Sequence, residues 1–235
     1  MIGDSFNQKY PDEFIDYLSA FLTENRARQF QQVLTYRTSH ISILTEYLYD
    51  EQNLYAIVRT AECLGVQHIH VLEQQERLKP AKKVSRGSHK WLSIHHHFYT
   101  EDCVDELFNS FKKAGYYLAA AEPGQGGYLP ENIPLEKPLL LIFGKEHTGL
   151  SQKAKEAANY FLQIPIYGLT ESYNVSVAAA ICLYSIIQRL HNSNIHWQLD
   201  DKEKKFLWHK WILKTVRNPE LHYKRWLSEK STQNQ

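Results

Sequence analysis

Ile164–Ala180 reads IPIYGLTESYNVSVAAA. An apolar run closes at Ile164-Pro165 and a turn holding Gly168 follows. A polar cluster of Ser172, Tyr173 and Asn174 comes next, and then an apolar stretch at helical spacing begins. Proline has a fixed φ and no amide hydrogen, and glycine favours turns, so neither strand nor helix runs straight through. Ser172 or Asn174 suits the cap of the following helix, because a short polar side chain accepts from the orphan N–H groups of a first turn. The stretch therefore predicts a strand, a deep bend, and a helix whose N-terminus points at something polar. A plain surface loop needs no such apolar framing on both sides.

Outward from the bend, two periodicities alternate. Ser39–Tyr47, His68–Leu72, Leu92–Phe98, Tyr116–Ala121, Leu139–Phe143 and Tyr160–Ile164 read as strands, and Leu54–Leu64, Thr100–Ala114, Ser151–Ala158 and Val175–Asn192 as helices. Strands interleaved with helices need crossover connections, so the predicted fold class is α/β with a mainly parallel sheet flanked by helices. Pro11–Leu22 and Glu24–Thr35 are helical patterns ahead of this region. Asp201–Val216 and Pro219–Leu227 follow it after the polar linker HNSNIH. The expected organisation is a helical extension over 1–38, a main domain over 39–192 and a second helical extension over 193–235.

The chain has 235 residues, an apolar fraction of 43% and a net charge of +1. That supports a real core, and it confines any nucleic-acid binding to local patches. The longest apolar runs are too short or too interrupted to span a membrane. MIGDSFNQKYPDEF at the start has no apolar signal core. Cys63, Cys103 and Cys182 each fall in a helical pattern, which predicts buried thiols in a reducing, cytoplasmic compartment. Gly124-Gln125-Gly126-Gly127 is followed by Tyr128-Leu129-Pro130 rather than a helix, so it is not a dinucleotide fingerprint. Gly144–Ser151 lacks the lysine placement of a phosphate loop, but it is a strand–glycine turn–helix corner, and open α/β sheets bind ligands at such corners.

His95-His96-His97 resembles a metal site in composition only. On a strand His95 and His97 share a face, and no carboxylate or cysteine joins them at ligand spacing, so no metal is expected. Arg77–Lys90 carries six Lys/Arg and no acid, which predicts either a solvated loop or one that faces phosphate through Lys82, Lys83, Arg86 and Lys90. Arg26, Arg28 and Arg37 are candidates for gripping RNA from the N-terminal helices, against the plainer reading of a packing element. The Lys/Arg-rich, aromatic segment 201–230 reads either as a helix laying its aromatics on the domain or as an RNA surface. Asn53 is placed to cap the helix at Leu54. Arg59 lies on that mostly apolar helix, where a snorkelling surface residue is the plainer alternative.

Together, three segments resemble the motifs of the SpoU/TrmH family of RNA ribose 2'-O-methyltransferases, within the SPOUT superfamily. NLYAIVRTAECLG at Asn53–Gly65 is similar to the first motif, LLLIFGKEHTGLS at Leu139–Ser151 to the second, and Ile164–Ala180 to the third. GSHKW at Gly87–Trp91 is similar to a basic loop of the tRNA-acting branch. The resemblance implies a sheet whose C-terminal part is threaded into a deep trefoil knot, an S-adenosylmethionine cofactor, and a homodimer formed through the knot region. It implies tRNA as partner, with the guanosine at position 18 of the D-loop as target and no DNA. A ribosomal-RNA guanosine, another tRNA ribose, or a dead RNA-binding homologue are the alternatives. Carried onto matching positions, it implies that Ala121, Gly144, Ile164, Leu169 and Tyr173 frame the cofactor. Arg59 is then the expected catalytic residue, with Asn53 positioning it or the neighbouring chain, and Glu146, Ser172 and Asn174 fill the remaining polar positions. Tyr173 stands where leucine is common in the family, which implies a reshaped pocket.

Overall fold

The computed structural model describes residues 9–48, 50–73, 87–98, 100–124, 126–145 and 148–233. In chain order its elements are α1 (Asp12–Ser19), α2 (Glu24–Thr35), β1 (Thr38–Glu46), α3 (Glu51–Cys63), β2 (Val66–Glu73) and β3 (Ser93–Phe98). Then come α4 (Glu101–Lys113), β4 (Tyr117–Ala121), β5 (Leu139–Phe143), α5 (Gln152–Ala157), β6 (Tyr160–Leu162), α6 (Val175–His191), α7 (Asp201–Thr215) and α8 (Pro219–Gln233).

The six strands form one sheet in the order β3-β2-β1-β5-β4-β6, and every pairing is parallel. β5 shows why. All five of its residues, LLLIF, are buried, so both faces of the strand are covered. Leu139, Leu141 and Phe143 join a core with Ile57, Val58 and Ala61 of α3 and Leu183 and Ile186 of α6. Leu140 and Ile142 face the other way, onto Phe108 and Phe111 of α4 and Ala154 of α5. The result is a three-layer α/β unit over Thr38–Gln198.

The helix ends follow the local chemistry of their caps. Thr100 accepts from the Cys103 amide to start α4, which ends before Gly115 at φ 87°. One cap differs from expectation. Asp50, not Asn53, starts α3, its carboxylate accepting from the Gln52 amide at 2.8 Å, which puts Asn53 inside the first turn. β6 is shorter than the pattern suggests. After Leu162 the Gln163 amide donates to Tyr128 O at 2.9 Å, and Pro165 has no amide to offer a ladder. Cys182 is buried, but Cys63 is exposed and Cys103 intermediate, because helical spacing alone does not say which face is covered.

The described residues up to Arg37 and those from Leu199 onward make a second compact unit. Its core joins Tyr10, Phe14, Ile15 and Leu18 to Ile212 and Trp226. Phe14 packs at 4.9 Å from Tyr223 and 5.7 Å from Trp226, and Lys205 pairs with Asp12. Arg37 is fully buried with its guanidinium 5.5 Å from the Trp211 ring. It is therefore part of this core and is no RNA contact.

On one sheet face, four imidazoles from β2 and β3 interlock. His68 lies 3.3 Å from His95 and His70 lies 3.0 Å from His97, nitrogen to nitrogen, while His70 stacks on His95 with centroids 4.5 Å apart. Among the described residues no group of three His, Cys, Asp or Glu side chains is disposed to hold a metal. Burial, reinforced by the neighbouring His95, His97 and His68, pushes the His70 pKa down to about 2. An unfolded histidine takes up a proton near pH 6.5, whereas native His70 does not. Its contribution is therefore fully present above pH ~6.5 and is lost as pH falls toward the native value. Chemical denaturation should show stability falling by about 1.4 kcal/mol per pH unit from this group below pH ~6.5, with a shallower acid limb in His70→Asn.

Candidate active site

β4, β5 and β6 end in register, with Ala121 opposite both Phe143 and Leu162. The chain turns at the C-terminal edge of all three strands, the place where open parallel sheets bind ligands. A cavity of about 390 Å³ lies there, within the ~300–1,000 Å³ typical of small-molecule pockets. Leu162, Ile164, Val175, Ala178 and Cys182 make its apolar wall, and Glu122, Lys145, Glu171 and Ser172 bring polar groups to it.

The glycine corner is the tightest part. A Cβ on Gly144 would lie 2.4 Å from the Gly149 carbonyl carbon and 2.5 Å from the Leu150 nitrogen. Lys145 and Gly149 exchange two backbone hydrogen bonds of 3.0 Å each, and Gly149 has φ 67°. Only glycine meets both requirements, at 144 for space and at 149 for backbone conformation. The turn then enters α5 at Ser151, whose hydroxyl accepts from the Ala154 amide at 3.1 Å. Behind it, Glu46 at the end of β1 is buried and accepts from the Ser151 amide at 2.9 Å and the Ser151 hydroxyl at 2.7 Å.

The 164–174 bend supplies the other side. Asn174 caps α6, its Oδ1 accepting from the Ser176 amide at 2.9 Å and the Val177 amide at 3.3 Å. That fixes the orientation of the amide group, whose Nδ2 donates to Asn53 Oδ1 at 3.1 Å. The first turn of α3 is thereby tied to the start of α6. The Tyr173 hydroxyl donates to Pro165 O at 3.2 Å, so the ring braces the bend it lines. Glu122 is ion-paired with Lys155. Burial pushes the Cys182 thiol up to about 12, which leaves it a neutral part of the wall.

Of the expected cofactor residues, Ala121, Gly144, Ile164 and Tyr173 line this cavity together with Ser172. Leu169 does not: its side chain is fully exposed at the tip of the bend. Asn53 and Asn174 meet each other outside the cavity wall. Arg59 is exposed on α3 and is not among the lining residues. Glu146 lies outside the described residues, as do Lys82, Lys83 and Arg86. Arg26 is exposed with its guanidinium 5.7 Å from the Phe30 ring, Arg28 is paired with Glu24 at 2.6 Å, and Lys90 is exposed at the end of a short 3-10 turn. Glu46, Glu122 and Lys145 carry no sequence signal beyond a position at a strand end or the glycine corner, and Glu171 none beyond its place in the 164–174 bend.

The model of the SpoU rRNA Methylase family matches residues 40–184. A tRNA (guanosine(18)-2'-O)-methyltransferase of Borreliella burgdorferi is 33% identical over 204 residues, 87% of this chain and 92% of the relative. The crystal structure of the A. aeolicus TrmH/SpoU tRNA modifying enzyme superposes with a TM-score of 0.72 at 28% identity, covering 82% of this chain and 98% of that one. The SpoU methyltransferase AviRb of Streptomyces viridochromogenes, solved with AdoMet, shares the fold at TM-score 0.58 and 23% identity, covering 67% and 63% of the two chains.

Asn174 does two separable jobs. Asn174→Asp keeps the cap oxygen and loses only the donor to Asn53, whereas Asn174→Ala loses both. Thermal unfolding should place the alanine variant about 1 kcal/mol below wild type, with the aspartate variant retaining most of the cap energy.

Proposed function

Because the chain belongs to the SpoU rRNA Methylase family, we propose that it transfers a methyl group from S-adenosylmethionine to the ribose 2'-OH of a tRNA guanosine, guanosine 18 of the D-loop. The observation that carries this reading is the extent of the match to a tRNA (guanosine(18)-2'-O)-methyltransferase. Its 204 residues reach beyond the 40–184 family segment and so take in part of the helical ends.

The cavity fits the cofactor. Its apolar wall suits a flat purine, and Gly144 and Gly149 bring bare backbone to its lining. Lys145 and Glu171, both in the lining, offer charges of both signs to a zwitterionic amino acid. Ala121, Gly144, Ile164 and Tyr173 would hold it, with Ser172 at the polar end. The cofactor supplies an activated methyl group on a sulfonium, already a good leaving group. The protein's share is then to hold the ribose oxygen in line and ease loss of its proton. Positioning of this kind contributes up to roughly 7–11 kcal/mol.

Arg59 brings a planar, delocalised cation whose fork of N–H donors matches a phosphate. We assign it to gripping a phosphate next to the target nucleotide and stabilising charge that develops on the ribose oxygen, with phosphate or water taking the proton. Its exposed place outside the cofactor cavity suits contact with a large substrate. Asn53 and Asn174, joined to each other, hold α3 against the bend.

A tRNA substrate fits a cytoplasmic protein. Among the described residues no helix is long and apolar enough to cross a membrane. Tyr167 and Leu169 on the bend and Val177 and Tyr184 on α6 expose large apolar side chains. Such a patch supports a homodimer formed through this region. Family membership likewise supports knotted threading of the C-terminal strands.

Incubation with labelled S-adenosylmethionine and unmodified tRNA transcripts should place the label on guanosine 18, with none on a 2'-deoxyguanosine-18 transcript. Label on ribosomal RNA alone would favour the ribosomal alternative, and calorimetry showing no cofactor binding would favour a dead site. Arg59→Ala should lower turnover by about 10²-fold or more with cofactor affinity unchanged, and Arg59→Lys should lose less. Equal and total loss in both variants at every pH would rule out a simple charge role.

A further inference from the structure

Glu46 is 1% exposed, and among the described residues no ion pair neutralises it. A buried carboxylate is costly unless its oxygens are well hydrogen-bonded. Glu46 commits both to a single residue 105 positions away, the amide and hydroxyl of Ser151. The strand register explains the geometry. Thr45 lies opposite Phe143, so Glu46 stands level with Gly144, where the glycine corner leaves the sheet. Its side chain reaches across that corner to the residue where the chain re-enters regular structure. The two backbone bonds between Lys145 and Gly149 close the corner from within. Glu46 holds it from outside, and Ser151 passes the restraint on to α5 through the Ala154 amide.

We propose that Glu46 is a positioning residue for methyl transfer: through Ser151 it holds the Gly144–Lys145–Gly149 wall of the cofactor pocket in its binding geometry. The proposal rests on the methyltransferase reading above. Gly144, Lys145 and Gly149 all line the cavity, and Gly144 has no slack against Gly149. A shift of the corner therefore moves the wall as a block. A pocket wall looser by about 1 Å is enough to cost about tenfold in cofactor affinity.

Three variants test it: Glu46→Ala, Glu46→Gln and Ser151→Ala. The glutamine carbonyl can still accept from the Ser151 amide while its NH2 donates to the Ser151 hydroxyl. In steady-state assays the KM for S-adenosylmethionine should rise about tenfold or more in Glu46→Ala and by a smaller factor in Ser151→Ala, and stay within about threefold of wild type in Glu46→Gln. Turnover at saturating cofactor and affinity for tRNA should change by less than about threefold. Damage that only lowered the folded fraction would reduce turnover and leave KM alone. Cofactor KM values unchanged in folded Glu46→Ala or Ser151→Ala, or equal losses of cofactor and tRNA binding, would overturn the proposal. If Glu46→Ala does not fold, Ser151→Ala and Glu46→Gln decide. Hydrogen exchange on the cofactor-free protein separates this from the parent reading. The Lys145 and Gly149 amides should exchange faster in Ser151→Ala than in wild type or Glu46→Gln, even if wild type binds no S-adenosylmethionine. Unchanged exchange would sink the strut itself.

Discussion

At the C-terminal edge of the sheet, the backbone of Gly149 and Leu150 passes so close to Gly144 that a methyl group there would overlap it. That approach sets the shape of the site. It lets β5, buried on both faces, deliver its last residue directly to a ligand-sized cavity. It also turns the chain back into α5 without a long loop. The reciprocal Lys145–Gly149 bonds tie the two sides of the corner together where they line the cavity, and so stiffen that wall. A stiff wall suits an enzyme whose main task is to align two reactants rather than to supply an unusual acid or base.

The rest of the site is assembled by polar links between elements far apart in the chain. Asn174 joins α6 to Asn53 on α3, Glu46 joins β1 to Ser151, and Glu122 at the end of β4 pairs with Lys155 on α5. Each link works beside an apolar contact that already holds the same pair of layers together. Burial supplies the bulk of the stabilisation, and the hydrogen bonds select one register and one orientation from those that burial alone would tolerate. Arg59 stands apart from this network and from the cavity.

The two ends of the chain illustrate the same division. Charge and aromatic content in segment 201–230 fit either a solvated helix or a nucleic-acid surface. In the structure Ile212 and Trp226 turn inward to meet Phe14 and Tyr10, while Trp211 is buried against Phe30 and the Arg37 guanidinium. The histidines divide in the same way: alternation along β3 puts His95 and His97 on one side, but only the pairing with β2 brings them onto His68 and His70.

Local physics in the sequence was enough for the strands, the helices, most caps and the α/β class, because period-2 and period-3.6 patterns and short polar caps act over a few residues. The second and third motif segments also pointed to Gly144, Ile164, Ser172 and Tyr173, and the family resemblance to Ala121, and these five share one cavity. The short β6, the Asp50 cap that moved Asn53 inward, the exposed Leu169 and the burial of Arg37 were decided by contacts between distant segments. So was the Glu46–Ser151 clamp. A hydrogen bond across 105 residues leaves no periodic trace, since either partner alone reads as an ordinary polar residue. Only when the parallel strands come into register does the carboxylate find the one amide and hydroxyl that make its burial tolerable.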